Sequence, residues 1–173
     1  LKKQILNNPF LSGDVDNLKE GIYKPDTYFF KRGYPRKKLL EQMKRAQDKA
    51  LEEVWKTKPV DFTLKNKNQF LILASIIQKE SSNADDSKLV ASVFINRLET
   101  KMKLQSDVTL AYGFKVNGNK ITKKMLRSDN LYNTYKYFGL PPTPISYPGK
   151  DALNSLKNLK RTDYFYFVSD GRG

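Results

Sequence analysis

The sequence predicts an α+β domain, largely helical, with a small sheet and a long irregular substrate-binding segment. Apolar residues recur at helical spacing in three stretches of the middle, residues 36–56, 68–81 and 87–100. Segments rich in Tyr and Phe near both ends, residues 20–30 and 162–168, favour extended backbone. Residues 101–149 keep neither period and mix amides, hydroxyls, aromatics and prolines. Irregular stretches of this length inside a domain are usually functional.

Taken in order, residues 1–10 predict a short helix around Ile5 and Leu6, stopped by Asn7, Asn8 and Pro9, and Ser12-Gly-Asp14 predicts a turn. In residues 20–30, Gly21 and Pro25 forbid a helix and the aromatics predict a stiff, strand-like segment. Pro35 suits a helix start, and the helix to about Lys56 is amphipathic, with Leu39, Leu40, Met43, Val54 and Trp55 on its apolar face. Two apolar helices follow, residues 68–81 and 87–100, as a hairpin whose tip lies just past Glu80. Residues 102–112 set Gln105, Ser106, Asp107 and Thr109 among apolar neighbours. Asn117-Gly118 predicts a turn or hairpin over residues 113–120, and residues 121–127 a short helix. The four prolines of residues 139–149 require a rigid, extended loop. Residues 151–159 predict a helix with Asp151 at its positive end, and residues 162–168 alternate as a strand.

Composition narrows the chemistry. With 32 Lys+Arg against 18 Asp+Glu the formal charge is +14, which favours polyanionic partners without choosing among nucleic acid, an anionic membrane surface and an acidic polymer. The lysines are spread along the helices, and no nucleic-acid motif accompanies them. The absence of cysteine excludes disulfides and thiolate metal sites. The absence of histidine removes Ser-His-Asp and Cys-His catalysis and nearly every zinc enzyme. Acid–base work would fall to carboxylates, Tyr or Lys. No stretch is long and apolar enough to span a bilayer. The Leu1 start and the Asp170-Gly-Arg-Gly173 end read as those of a piece of a longer protein.

The sharpest single feature is Phe70-Leu-Ile-Leu-Ala-Ser-Ile-Ile-Gln-Lys-Glu80, the most apolar run of the chain, ending on an acid. Leu73, Ile76 and Ile77 share a helix side with Glu80. A carboxyl held against an apolar wall resists ionisation, and an acid kept protonated near neutral pH is suited to general acid catalysis. Taken alone, the stretch also allows Glu80 to turn to the rim and pair with a lysine.

Seven motifs then follow one another: Glu20-Gly-x-x-x-Pro-Asp-Thr-Tyr28, Ala74-Ser-Ile-Ile-x-Lys-Glu80, Val90-Ala-Ser-Val-Phe-Ile-Asn-Arg-Leu98, Leu104-Gln-Ser-Asp107, Tyr132-Asn-Thr-Tyr135, Gly139-Leu-Pro-Pro142 and Tyr164-Phe-Tyr-Phe-Val168. In this order they resemble the YceG-like family, the membrane-anchored endolytic murein transglycosylases, over nearly the whole chain from about Leu18. The resemblance implies a single catalytic domain over residues 1–173, with a membrane helix, a LysM-like subdomain and a C-terminal continuation outside the chain. It implies a cofactor-free enzyme at the extracytoplasmic face of the inner membrane. That enzyme cuts peptidoglycan between N-acetylmuramic acid and N-acetylglucosamine and leaves 1,6-anhydro ends. Its expected partners are glycan strands, with peptidoglycan synthases as candidates, no nucleic acid, and contact with the membrane only through the anchor. The catalytic acid maps onto Glu80. This sequence departs from the family pattern at Gln78, Val108, Thr143, Tyr147 and Asn130-Leu131.

With Glu80 as acid, candidate substrate contacts are Gln105, Ser106 and Asp107 first, then Asn133 and Tyr135, with Tyr132 and Tyr137 as sugar platforms. Glu20, Asp26 and Tyr28 are candidates to line the cleft. Three rivals stay open: a glycoside hydrolase using Asp107 or Glu20 as second carboxylate, a basic glycan- or nucleic-acid-binding module, and a pyridoxal-phosphate lyase, for which no glycine-rich phosphate loop is found.

Overall fold

The structure, a computed structural model, describes residues 1–15 and 17–168. Among them are helices α1 (Lys2–Leu6), α2 (Arg36–Lys56), α3 (Lys67–Glu80), α4 (Ala84–Glu99), α5 (Asp107–Phe114), α6 (Lys123–Leu126) and α7 (Lys150–Lys157). The sheet is small: β1 (Leu11–Ser12) pairs in parallel with β2 (Tyr34–Pro35). The largely helical α+β class is therefore as the sequence predicts.

The core is built around α3, which packs against α2, α4 and α7. Phe70, Leu73, Ile76 and Ile77 are completely buried with Phe94 of α4 and Leu153 and Leu156 of α7. Each such side chain contributes roughly 1.5–3 kcal/mol by leaving water. The start of α3 is fixed locally: the Asn66 side chain accepts from the Gln69 N–H (2.9 Å), and the Gln69 side chain accepts from the Lys65 N–H (2.8 Å). A second apolar cluster joins Ile5, Leu11 and Leu18 to Leu39, Leu40 and Met43 of α2. Buried Arg36 laces this region by donating to the carbonyls of Ile5 (3.0 Å), Asn8 (3.1 Å) and Gly13.

Several local expectations are corrected. Residues 20–30 form no strand: residues 20–23 turn, with Gly21 at φ +82°, and residues 24–30 have no regular structure; the sheet lies on either side of them. Residues 162–168 likewise lack a partner strand among the described residues. Side chains of α4 take the partner's place: Asn96 donates to the carbonyls of Thr162 (2.6 Å) and Tyr164 (2.9 Å), and Arg97 to that of Phe165 (2.7 Å). Aromatic content marks segments that lie flat on a surface, and whether they become strands depends on a neighbour. The hairpin expected over residues 113–120 is absent: α5 runs to Phe114 and Lys115 closes it in the left-handed conformation, ahead of a 3-10 turn at Gly118–Lys120. Helix α4 starts three residues before the expected position, because Asn83 accepts from the N–H groups of Asp85 (3.0 Å) and Asp86 (2.9 Å).

The proline-rich loop is neither helix nor strand, as predicted, but bends at residues 142–143 and 145–146, and it is clipped along α3. The Ile145 N–H donates to Ser75 Oγ (2.9 Å), Ser146 Oγ to the Ser75 carbonyl (2.8 Å), and the Gly149 N–H to Gln78 Oε1 (2.7 Å). This assigns Gln78 a structural role, and either a glutamine or a glutamate oxygen can accept that bond.

Candidate active site

Helix α3 ends on Glu80, where the chain turns through Ser81 into α4. Ser81 Oγ bonds Ser87 Oγ (2.8 Å) and the Ile77 carbonyl (2.8 Å), so the junction is held from both helices. The Glu80 side chain is half-buried and accepts a hydrogen bond of 2.5 Å from Ser106 Oγ.

Ser106 is delivered by a braced loop. Arg97, buried on α4, donates to the Leu104 carbonyl (2.7 Å). Gln105 takes a left-handed backbone, φ +48°, unusual for a residue with a side chain. Its N–H is held by the Thr134 carbonyl (3.1 Å), and that of Ser106 by Thr134 Oγ1 (3.0 Å). Thr109 Oγ1 completes the lacing by bonding the Ser106 carbonyl (2.8 Å) and Thr134 Oγ1 (2.9 Å). The outcome is an alternation in which Ser106 is buried against Glu80 while Gln105 and Asp107 stay exposed on either side. Tyr135 Oη donates to Asp107 Oδ1 (2.7 Å), which fixes the second carboxylate at the first turn of α5.

Burial pushes the Glu80 carboxyl above the usual carboxylate range; the Ser106 hydrogen bond draws it partly back, and the Asp107 charge pushes it up further. The Tyr135 hydroxyl is raised by burial and by the Asp107 hydrogen bond, so it stays a donor at any ordinary pH. These opposed influences separate by mutation. Asp107→Asn is expected to lower the Glu80 pKa, and Ser106→Ala to raise it. Carboxyl carbon NMR of the labelled glutamate would read both, and shifts of one sign in the two variants would contradict this arrangement.

The remaining sequence candidates have different places. Glu20 is half-buried on a separate wall and lines a cleft of about 740 Å³ with Lys79, Val108, Tyr112 and Tyr132. Two residues of that lining, Lys79 and Val108, are the chain neighbours of Glu80 and Asp107, which do not line it. Burial raises the Glu20 carboxyl, with the Tyr147 hydroxyl, Lys2 and Lys79 pulling it back. Tyr132 stacks edge-on with Tyr112 (5.0 Å between centroids) and its hydroxyl bonds Thr143 Oγ1 (2.7 Å).

Three of the candidates for substrate contact already have partners within the chain. Asn133 is completely buried, and its amide donates to the carbonyls of Met125 (3.3 Å), Leu126 (3.1 Å) and Ser128 (2.9 Å), so it is a loop brace. Asp26 is exposed and is held by Lys24 (2.8 Å) and the Thr27 N–H (2.9 Å). Tyr28 packs in the second core and donates to the Lys24 carbonyl (3.0 Å). The Tyr137 hydroxyl is bonded to Asp129. Conversely, Thr134, Arg97 and Tyr112 carry weight that sequence reasoning missed. Thr134 lies within the Tyr-Asn-Thr-Tyr motif, where only its neighbours were singled out. Among the described residues no three His, Cys, Asp or Glu side chains gather as a metal site would require.

Comparison with known proteins agrees with this architecture. The model of the YceG-like family matches residues 2–173. An endolytic murein transglycosylase of Streptococcus pneumoniae (strain D39) is 36% identical over 157 residues, covering 87% of this chain and 28% of the relative. One of Bacillus subtilis (strain 168) is 32% identical over 179 residues, covering 100% of this chain and 49% of the relative. The chain thus spans half or less of the length of these relatives. The crystal structure of a yceG-like protein, lmo1499, from Listeria monocytogenes superimposes with a TM-score of 0.76 at 33% identity, covering 97% of this chain and 53% of that one.

Proposed function

The chain belongs to the YceG-like family, and from that premise we propose that it carries the catalytic centre of an endolytic murein transglycosylase with Glu80 as its acid–base residue. The observation that carries the proposal is the Glu80 carboxyl itself, half-buried, raised in pKa and held by Ser106, with its chain neighbour Lys79 lining an open cleft.

Glu80 protonates the glycosidic oxygen between N-acetylmuramic acid and N-acetylglucosamine as the bond to the anomeric carbon breaks. Now a carboxylate, it takes the proton of the muramic C6 hydroxyl, whose oxygen attacks the same anomeric carbon and closes a 1,6-anhydro ring. The nucleophile belongs to the substrate, so its effective concentration is high and no second catalytic carboxylate is required. Positive charge develops on the sugar ring between these steps. The Asp107 carboxylate, oriented by Tyr135, is the nearby group suited to stabilise it.

Product chemistry tests the reaction. Cleaved strands are expected to end in anhydro sugars, one water lighter than hydrolysis products and unmodified by borohydride. Reducing ends alone would overturn the transglycosylase reading in favour of a hydrolase using Asp107 or Glu20. The same reading puts the domain at the extracytoplasmic face of the cell membrane, anchored through segments outside the chain, and makes peptidoglycan synthases its expected partners. Fractionation and cross-linking of the full-length protein in cells would check both.

A further inference from the structure

The 740 Å³ cleft has the size of a ligand site and an unusual charge pattern. Lys2, Lys79 and Lys115 line it together with one acid, half-buried Glu20. None of these three lysines makes a salt bridge among the described residues. The floor is apolar, made by the Tyr112–Tyr132 pair, Val108, Ala111 and Ile145. A second cavity of about 410 Å³ shares Lys2, Glu20 and Tyr112 with the first, so Lys2 and Glu20 sit where the two meet.

A neutral glycan offers these cations only neutral oxygens as acceptors. Sugar rings are recognised by aromatic faces and by neutral or acidic hydrogen-bonding groups, and an unpaired ammonium gains most from a carboxylate. The muramic sugar at the scissile bond carries a peptide on its lactyl ether. That peptide has free carboxylates, small methyl side chains and an amine-bearing residue. We propose that the cleft lined by Lys79, Lys115, Lys2 and Glu20 is the subsite for this stem peptide, the lysines taking its carboxylates, Glu20 its amine, and the tyrosine pair its methyl groups. The assignment rests on the murein reading above and extends it from the bond that is cut to the substituent beside it. The walls agree in position, since Lys79 and Val108 are the direct neighbours of Glu80 and Asp107 in the chain.

The test compares glycan strands bearing stems with strands stripped of them by an amidase. The protein is expected to cleave stem-bearing strands with a kcat/KM about tenfold higher, the difference residing in KM, and to lose that preference as salt rises. Lys79→Gln combined with Lys115→Gln is expected to bring the ratio of the two substrates close to one. Thermal unfolding of the variant shows whether these exposed positions leave the fold unchanged. Equal cleavage of both strands by the unmodified protein, or a ratio that survives the double substitution, would overturn the stem subsite while leaving the murein reading intact. Failure to cleave either strand would overturn that reading and the subsite with it.

Discussion

Glu80→Gln is expected to lower glycan cleavage by about 10⁴-fold or more while the protein remains folded. A positioned acid or base contributes about 10²–10⁴-fold to a proton transfer. Here one residue serves both the departure of the leaving oxygen and the attack of the C6 hydroxyl, so its loss strikes both steps. Glutamine keeps the length of the side chain and an oxygen able to accept the Ser106 hydrogen bond (2.5 Å), so the local structure has little reason to move. Stability adds a second, independent readout. The native state holds the Glu80 proton to a higher pH than the unfolded chain does, because burial raises its pKa. Its contribution to stability is therefore present below the unfolded pKa and is lost as pH rises through the folded one. The amide does not titrate, so at neutral pH the variant is expected to melt at the same or a slightly higher temperature. Mass analysis of digested murein together with melting curves at pH 5 and about 7.5 measures both. Full cleavage by a folded Glu80→Gln protein would show that another group is the acid.

The catalytic candidate was legible because it lies where two patterns meet. The helical period of Phe70, Leu73, Ile76 and Ile77 determines which side of α3 is buried, and Glu80 continues that side. The Gln-Ser-Asp and Tyr-Asn-Thr-Tyr motifs were legible as polar groups in an irregular segment, but not in their division of labour. Ser106, Asp107 and Tyr135 surround the acid, whereas Asn133 braces a loop. Nothing in residue type separates an asparagine that touches substrate from one that satisfies three carbonyls, because the partners come from residues 125–128 by a fold-back that no period announces. The sheet was misplaced for a related reason. Strand propensity marks residues 20–30 and 162–168, but pairing needs a second strand, and the α4 side chains Asn96 and Arg97 occupy that role for one of them. The charged cleft was invisible in the sequence: Lys2, Glu20, Lys79 and Lys115 are brought together only by the packing of the N-terminal segment, α3 and α5.

Gly21→Ala is expected to destabilise the protein by roughly 2–5 kcal/mol, by the sum of two separable causes. Gly21 has φ +82°, where a side chain costs about 1–2 kcal/mol. It is also buried, and a Cβ there would stand 2.7 Å from Pro144 Cγ, 2.8 Å from Pro144 Cβ and 3.2 Å from Leu71 Cδ2. Proline has no rotamer with which to yield, and the loop that carries it is clipped to α3 on the far side of Pro144 by the Ile145, Ser146 and Gly149 contacts. Overpacking of this kind adds about 1–3 kcal/mol. Gly139→Ala is the control: its φ is +80°, yet nothing lies within 4 Å of the added carbon, so only the conformational cost applies. Urea unfolding of the two variants compares them directly, and equal losses would mean that the contact with Pro144 carries no energy. If the Gly21 variant loses more, the turn bearing Glu20 and the proline loop are pressed together by design of the packing, and a shift of either displaces one wall of the charged cleft. The Gly21 variant is then expected to weaken the discrimination between stem-bearing and stem-free strands even at temperatures where it remains folded, whereas Gly139→Ala leaves that discrimination in place.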